Sequence, residues 1–284
     1  MWIGAPGSLR QIRDGAKTFD RSPDVGVAEF RSLAGGVTTW APSLITRRYK
    51  IAWEAMTPED ANHIDGLARQ VAYMGPLVVL DPLASNLLTG RQSRGKGVAT
   101  QWGYNTSEVT MVAINAPPVS QVAYVTALPA SGATEIVWLN PSWYGYPVPG
   151  GQPVTWWPYT FSYSPAAPAV EGFYLHWYNS ANTLVSSSMQ ADPSRPLVAS
   201  PPAGAVFVRP AVRLKATGFY SLGQSVLSLG DASAALLAAV SSLPVGEGSP
   251  GFSITGYRNV ATPGNGAYRD IGLDLVEVTS SAVG

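Results

Sequence analysis

The sequence has 284 residues, of which 46% are hydrophobic and 13% are charged, with 18 basic and 18 acidic residues. This balance gives no net field to attract nucleic acid or an anionic membrane. The absence of cysteine excludes disulfides, thiolate metal sites and a thiol nucleophile. The 29 glycines and 24 prolines favour many turns over long helices, so the composition predicts a mainly β protein. The most apolar stretches are far shorter than a membrane span, which predicts no membrane insertion.

Charge density changes along the chain and indicates two differently composed units. Residues 1–100 contain 12 Lys and Arg and 9 Asp and Glu, whereas residues 101–250 contain only 4 and 6, together with six of the nine tryptophans. The predicted division is an N-terminal domain over 1–88, a basic linker over 89–98, a β-sandwich domain over 99–250, and closing strands with a tail over 251–284.

The N-terminal domain is predicted to contain a strand, a helix and a second strand. Residues 47–54 alternate in β fashion and place Tyr49, Ile51 and Trp53 on one face. Residues 77–80, Leu-Val-Val-Leu, have the character of a buried strand that ends at Asp81-Pro82.

The predicted helix lies between these strands. Thr57 is suited to cap it, Pro58 fits the first helical turn, and Gly75-Pro76 marks its end. His63 is expected to face solvent. One apolar stripe at helical spacing is formed by Ala61, Ile64, Leu67, Ala68 and Val71.

The second unit is predicted as a series of short strands joined by turns. These strands span 109–114, 121–126, 134–139, 154–163, 171–178, 183–189 and 205–214. Residues 179–182, Asn-Ser-Ala-Asn, suit a hairpin turn. A spacing of about ten residues between strands is typical of a sandwich or jelly roll. Two closing strands, at 251–257 and 271–278, could complete either the sandwich or the N-terminal domain.

Two segments resemble minor tail proteins of actinobacterial phages. The first consists of Trp53-Glu54, then Leu67-Ala68-Arg69, then Gly75 to Leu88 with the sequence GPLVVLDPLASNLL. The second is Tyr268 to Val278, with the sequence YRDIGLDLVEV. The broader resemblance is to distal tail proteins, which couple a ring-forming domain related to tail-tube subunits to a projecting sandwich. It implies a non-enzymatic virion protein at the tail tip, forming a homo-oligomeric ring that contacts tail-tube, tape-measure and baseplate-hub proteins. The closing strands from 251–279 would then complete the tube-like domain.

The middle of the chain is similar to the jelly-roll carbohydrate-binding modules of glycoside hydrolases. The matching segments are 148–152 with 159–162, then 173–184, and finally 201–210, in the same order as in those modules. This resemblance implies a host surface glycan as a further partner. Asn179 and Asn182 stand where acidic residues are common, which weakens the case for a calcium site there.

No catalytic or metal-binding constellation is apparent in the sequence. The two histidines, His63 and His176, do not form a ligand pair, and no Gly-x-Ser-x-Gly motif occurs. The glycine-rich segment 90–97 lacks the Gly-Lys-Ser/Thr order of a phosphate-binding loop. Glu135 and Glu171 are isolated from other acidic residues. We therefore predict a protein that is not an enzyme and has no metal or cofactor.

Aromatic residues are the remaining candidates for a site. Period-two geometry places Phe173, Leu175 and Trp177 on the core face of one strand. The opposite face and a loop rim give the candidate carbohydrate-binding set Tyr174, His176, Tyr178, Phe207, Arg209, Arg213, Trp143, Tyr144 and Tyr146. Core packing, a subunit interface and sugar stacking are all open alternatives for these side chains. The alternative function is accordingly a carbohydrate-binding accessory module of a cell-surface or polysaccharide-associated protein.

Overall fold

A computed structural model describes residues 1–24, 28–32, 35–40, 46–71, 73–81, 84–116, 119–162, 167–262 and 267–278. It is mainly β, with 47% of residues in strands and 13% in helices, which confirms the predicted fold class. The chain forms two compact units. The central unit comprises residues 1–2, 6–9 and 80–249, and the terminal unit comprises residues 3–5, 10–79 and 250–284.

The terminal unit is built around one long antiparallel sheet. Its elements are β1 (Trp2–Gly4), β2 (Arg10–Gln11), β3 (Thr18–Asp24), β4 (Ala28–Arg31), β5 (Val37–Trp40), β6 (Thr46–Met56), α1 (Pro58–Ala68), β7 (Leu77–Leu80), β20 (Gly251–Ala261) and β21 (Arg269–Val278). Seven of these strands form the sheet in the order β2-β1-β7-β20-β21-β6-β3. The chain therefore returns to its N-terminal part to finish the sheet.

Pairing of β21 with β6 answers the question that the sequence left open for the closing strands. The register sets Ile271 opposite Trp53, Leu273 opposite Ile51 and Leu275 opposite Tyr49. All six side chains are buried. Because side chains alternate between the two faces of a sheet, this register brings both apolar rows onto the same face. Residues 279–284 lie outside the described part of the chain.

Helix α1 confirms the predicted helix but is shorter than the pattern suggested. Ala61, Ile64 and Leu67 are buried, as expected. The helix ends at Ala68 because Gln70 adopts a left-handed φ of 54° and the N–H of Val71 bonds to the carbonyl of Gly66, which is a Schellman arrangement. Val71 is consequently 74% exposed and leaves the apolar stripe.

Two further expectations for the helix region are corrected by the structure. The Thr57 side chain makes no capping hydrogen bond. His63 is half-buried instead of facing solvent, because its Nε2 lies 3.0 Å from the carbonyl oxygen of Ile3. Strand β7 is buried throughout, as predicted, but Pro82 after it lies outside the described residues.

Strands β4 and β5 form a two-stranded hairpin of their own. Ala28 pairs with Trp40 and Arg31 with Val37. At its end the N–H of Gly36 bonds to the Ser32 hydroxyl. None of the eight strand residues is buried. The hairpin is thus an exposed ribbon.

The central unit contains the remaining elements. They are α2 (Gly90–Ser93), β8 (Trp102–Tyr104), β9 (Val109–Ala116), β10 (Val119–Val125), β11 (Thr134–Trp138), β12 (Tyr146–Pro147), β13 (Val154–Pro158), β14 (Val170–Tyr178), β15 (Leu184–Gln190), β16 (Leu197–Ala199), β17 (Phe207–Leu214), β18 (Gly218–Ser221), β19 (Ser225–Leu229) and α3 (Ser233–Ala238). Short 3₁₀ turns occur at Ala99–Gln101, Tyr159–Ser162, Ala167–Ala169 and Val240–Ser242.

Three antiparallel sheets make up this unit. The largest has the order β15-β14-β17-β11-β8, with β12 also paired to β17. A second has the order β16-β13-β19, and a third has the order β18-β10-β9. Aromatic side chains join the first two in a sandwich-like core, where the Trp138 and Trp156 rings lie 5.0 Å apart and the Trp156 indole donates to the carbonyl of Ala211. Most of the tryptophans of this unit therefore serve packing.

The local predictions for the central unit hold in part. The hairpin turn at 179–182 is present between β14 and β15, with Asn182 at a left-handed φ of 61° and the Asn179 side chain accepting from two backbone N–H groups. The strand predicted for 154–163 ends at Pro158, since the chain turns into a 3₁₀ helix over Tyr159–Ser162. Tyr163 lies outside the described residues.

Segment 89–98 differs from the linker that its composition suggested. It contains α2, which begins with a capping box in which Thr89 and Gln92 exchange side-chain and backbone hydrogen bonds. Gln92 is fully buried and donates to the carbonyl oxygens of Gln101 and Leu139. The segment is therefore a folded part of the central unit. Across the described ranges, no helix has the length and apolar character to cross a membrane.

Candidate functional site

The candidate site is the solvent-facing side of the largest sheet of the central unit. Along β14, Phe173, Leu175 and Trp177 are buried, as the alternation predicted. Tyr174, His176 and Tyr178 project from the opposite side and are partly exposed. We call this side the outer face and define it by Tyr174, His176, Tyr178, Arg209, Arg213, Glu135 and Glu171. The register sets His176 directly opposite Arg209 on β17.

One end of the outer face is a guanidinium that packs on one tyrosine ring and lies near a second. The Cζ atom of Arg209 lies 3.6 Å from the ring centre of Tyr144 and 5.4 Å from that of Tyr178. The two rings meet edge to face at 5.1 Å, and Arg209 Nε donates to the carbonyl oxygen of Tyr144. Burial raises the pKa of Tyr178, and the nearby positive charge of Arg209 offsets part of that increase. These contacts fix the guanidinium against the two rings.

At the other end of the outer face, a second arginine lies beside one tyrosine and one carboxylate. Arg213 Nη1 lies 3.3 Å from Glu171 Oε1, and its Cζ lies 5.6 Å from the ring centre of Tyr174. Burial disfavours the charge of Arg213, but the hydrogen bond with Tyr174 and the charge of Glu171 outweigh it and raise the pKa of Arg213. The tyrosine and the ion pair hold each other in place.

His176 connects the two ends. Its ring lies 5.7 Å from that of Tyr174, with an angle of 18° between the planes. Nε2 is 3.0 Å from Glu135 Oε2 on β11, and Nδ1 is 2.7 Å from the Ser187 hydroxyl on β15. Both ring nitrogens are therefore engaged, which fixes the imidazole across three strands.

Three residues of the sequence-predicted set do not join this surface. Tyr146 is fully buried, with its hydroxyl 3.1 Å from Gln92 Oε1, and burial raises the pKa of its phenol. Phe207 retains only 7% exposure. The Trp143 indole donates to the carbonyl oxygen of Ser249 and is half-buried. Tyr146 and Phe207 are thus core side chains, so their assignment to a sugar-binding rim or face is wrong.

An open depression of about 470 Å³ borders the outer face. It shares Glu135 and Arg213 with that face. Its other lining residues are Gly103, Tyr104, Asn105, Glu108, Ala133, Thr134 and Val137. Carboxylates, an amide and a guanidinium offer both acceptors and donors, which are the groups that hydroxyl-rich ligands require.

Two features of the surface were missed by the sequence reasoning. Glu135 and Glu171 look isolated along the chain, yet cross-strand pairing brings each beside a cationic or imidazole partner. On the sheet with the order β18-β10-β9, Tyr124 of β10 pairs with Phe219 of β18, and their rings stack at 4.2 Å. Phe219 is 66% exposed. Neither arrangement can be predicted from the sequence, because both depend on which strands pair and in which register.

No protein-family model matches the sequence, and no curated protein matches it significantly. Within the described ranges, His, Asp and Glu side chains form no group of three that could hold a metal ion. The outer face is therefore characterised by its own geometry, as a platform of rings and fixed polar groups.

Proposed function

We propose that the chain is a structural component of a phage tail tip, which assembles with further copies of itself and docks on the tail tube. The observation that carries this proposal is the exposed hairpin β4–β5 of the terminal unit. Phe30 is 62%, Val37 55% and Trp40 60% exposed. The resemblance of residues 75–88 and 268–278 to minor tail proteins gives the proposal its biological setting.

The energetics of the hairpin favour a partner. A two-stranded ribbon is marginally stable at best in water when it packs on nothing. Phe30 and Trp40 share one face of the ribbon, whereas Val37 lies on the other face. Full burial of a side chain of this size contributes about 1.5 to 3 kcal/mol, so covering the exposed part of Phe30 and Trp40 would contribute roughly 2 to 4 kcal/mol per copy. Glu29 and Arg31 pair with each other at 2.8 Å on the face that carries Val37. Aromatic side chains such as Phe30 and Trp40 are frequent anchors of protein interfaces.

Assembly is tested by sedimentation velocity of the full chain over a wide concentration range. We expect the wild type to form a larger species, and the double variant Phe30→Ser/Trp40→Ser to remain monomeric. Phe219→Ser is the matched control, because it removes an equally exposed aromatic side chain from the other unit. A wild type that stays monomeric with and without tail-tube subunits would contradict the proposal, and so would a double variant that assembles normally.

A second candidate function is contact with a host surface glycan through the outer face. The specific observation that favours it is the row of Tyr178, His176 and Tyr174 between two fixed guanidinium groups. Sugar rings stack their C–H faces on aromatic rings, while arginine and carboxylate groups bond the hydroxyls. The same face would also serve a free-standing carbohydrate-binding module. Such a module would have no need of the terminal unit.

Glycan binding is tested by probing an array of wall and capsule polysaccharides with the full chain. We expect binding that is lost in Tyr174→Ala and in Arg209→Ala and kept in Arg195→Ala, an exposed arginine of the same unit. If no polysaccharide is bound at high protein concentration, the outer face has no glycan function and only the structural proposal remains.

A further inference from the structure

A separate cavity of about 330 Å³ lies in the central unit. Three stretches of chain converge on it, namely residues 93–96 from the last residue of α2 onwards, residues 224–225 where β19 begins, and residues 241–245. Its lining consists of Ser93, Arg94, Lys96, Gln224, Ser225, Ser241, Ser242, Leu243, Pro244 and Val245. The volume is at the lower end of the range of small-molecule sites, about 300 to 1,000 Å³.

Buried hydrogen bonds hold the walls of this cavity together. The amide of Asn86, which is fully buried, donates to the carbonyl oxygens of Ser225 at 3.0 Å and Pro244 at 2.9 Å. The Ser93 hydroxyl accepts from the N–H of Gly246 at 2.9 Å. The N–H of Gln121 bonds to the carbonyl of Gly95. All three walls are therefore tied to the fold, so the cavity is formed in advance of any ligand.

The mouth of the cavity is positively charged. Arg94 and Lys96 are both exposed. Neither side chain takes part in an ion pair or hydrogen bond within the described residues, in contrast to Arg195, Arg209 and Arg213. The cavity lining contains no acidic residue. Two unpaired cations in one lining with several serine hydroxyls are a suitable environment for an oxyanion.

The backbone at Gln224 gives a second indication of a site. This residue has a left-handed φ of 50°, although it is neither glycine nor asparagine. Its carbonyl oxygen accepts from the N–H of Tyr159, which holds the turn in this conformation. Its side chain is exposed and lines the cavity. Such conformations cost about 1 to 3 kcal/mol and cluster where a side chain must be presented to a ligand.

We propose that this cavity binds a small organic phosphate. Arg94 and Lys96 would contact the phosphoryl oxygens, the Ser241 and Ser242 hydroxyls and the Gln224 amide would bond further polar groups, and Leu243, Pro244 and Val245 would pack against the carbon body. The glycine-rich segment 90–97 lacks the order of a phosphate-binding loop, and the site uses side chains beyond α2 instead of a helix terminus. The proposal is independent of assembly and of the outer face.

The proposal is tested by isothermal titration and ³¹P line broadening of the full chain with glycerol 3-phosphate, inorganic phosphate and glycerol. We expect saturable binding of glycerol 3-phosphate, weaker binding of inorganic phosphate and none of glycerol. Arg94→Ala and Lys96→Ala should each weaken binding about tenfold, as expected for the loss of one charge-assisted contact. Arg195→Ala should leave it unchanged. Both cations are exposed, so these variants should fold normally.

Three outcomes of these titrations would contradict the proposal or part of it. No saturable binding of either phosphate by the wild type at about 10 mM, where even millimolar affinity would be detected, overturns the proposal. Unchanged binding in both Arg94→Ala and Lys96→Ala overturns it as well. Equal affinity for inorganic phosphate and glycerol 3-phosphate would overturn the role of the apolar wall and assign the site to the phosphoryl group alone.

Discussion

Replacement of Asn86 by alanine should destabilise the central unit strongly. The Asn86 side chain makes four hydrogen bonds, donating to the carbonyls of Ser225 and Pro244 and accepting from the N–H groups of Leu88 and Leu227 at 3.1 Å each. A buried hydrogen bond contributes about 1 kcal/mol, and a buried group left without a partner costs about 1 to 3 kcal/mol. Allowing for relaxation, we expect a loss of roughly 3 to 4 kcal/mol in the free energy of unfolding.

The assay is urea unfolding followed by tryptophan fluorescence, with the free energy taken from the midpoint and slope. Asn62→Ala is the control, because Asn62 is exposed on α1 and alanine favours a helix, so a change below about 0.5 kcal/mol is expected. A loss of less than about 1 kcal/mol for Asn86→Ala would refute the reasoning, since the four hydrogen bonds would then contribute almost nothing.

Three further predictions concern single positions. Gly246→Ala should destabilise the central unit by about 2 kcal/mol or more, because a Cβ would collide with the backbone carbonyl of Leu88, and a variant that unfolds like the wild type would contradict this. Burial and the Asp65 carboxylate raise the pKa of Tyr257 to about 12. In an ultraviolet titration of the tyrosines, the Tyr257→Phe variant should therefore lack one ionisation that the wild type shows near pH 12. Because the folded pKa is raised, the stability that this phenol contributes is fully present below its ordinary pKa near 10 and is lost as the pH rises through about 12. Phe30→Ser and Trp40→Ser should change the free energy of unfolding of the monomer by less than about 0.5 kcal/mol, as urea unfolding at low concentration would measure.

The sequence predicts a strand or helix correctly where one face of that element is buried. The alternation at Tyr49, Ile51 and Trp53 predicts β6 because the pleat sends every second side chain into the core. The same rule separates Trp177 from His176 on β14. Short strands such as β12 and β16 were not predicted, because two or three residues are too few to show a periodic pattern.

The candidate site was only partly predictable for a different reason. Alternation identifies which side chains of one strand face outwards, but it does not give the register between strands. Glu135 reaches His176 because β11 and β14 both pair with β17, a relation that spans 41 residues of sequence. Tyr146 looked like a loop residue among prolines, yet a two-residue pairing with β17 buries it. Composition likewise suggested a linker at 89–98, where the capping of α2 and burial of Gln92 produce a folded part of the central unit.

The central claim, that this chain is a self-assembling component of a phage tail tip, is tested most directly by a density map of intact virions from the genome that encodes it. We predict several copies arranged as a ring at the tail end, with Phe30 and Trp40 of each hairpin buried against a neighbouring subunit. A particle without this chain at its tail tip, or with these two side chains facing solvent in every copy, would contradict the proposal.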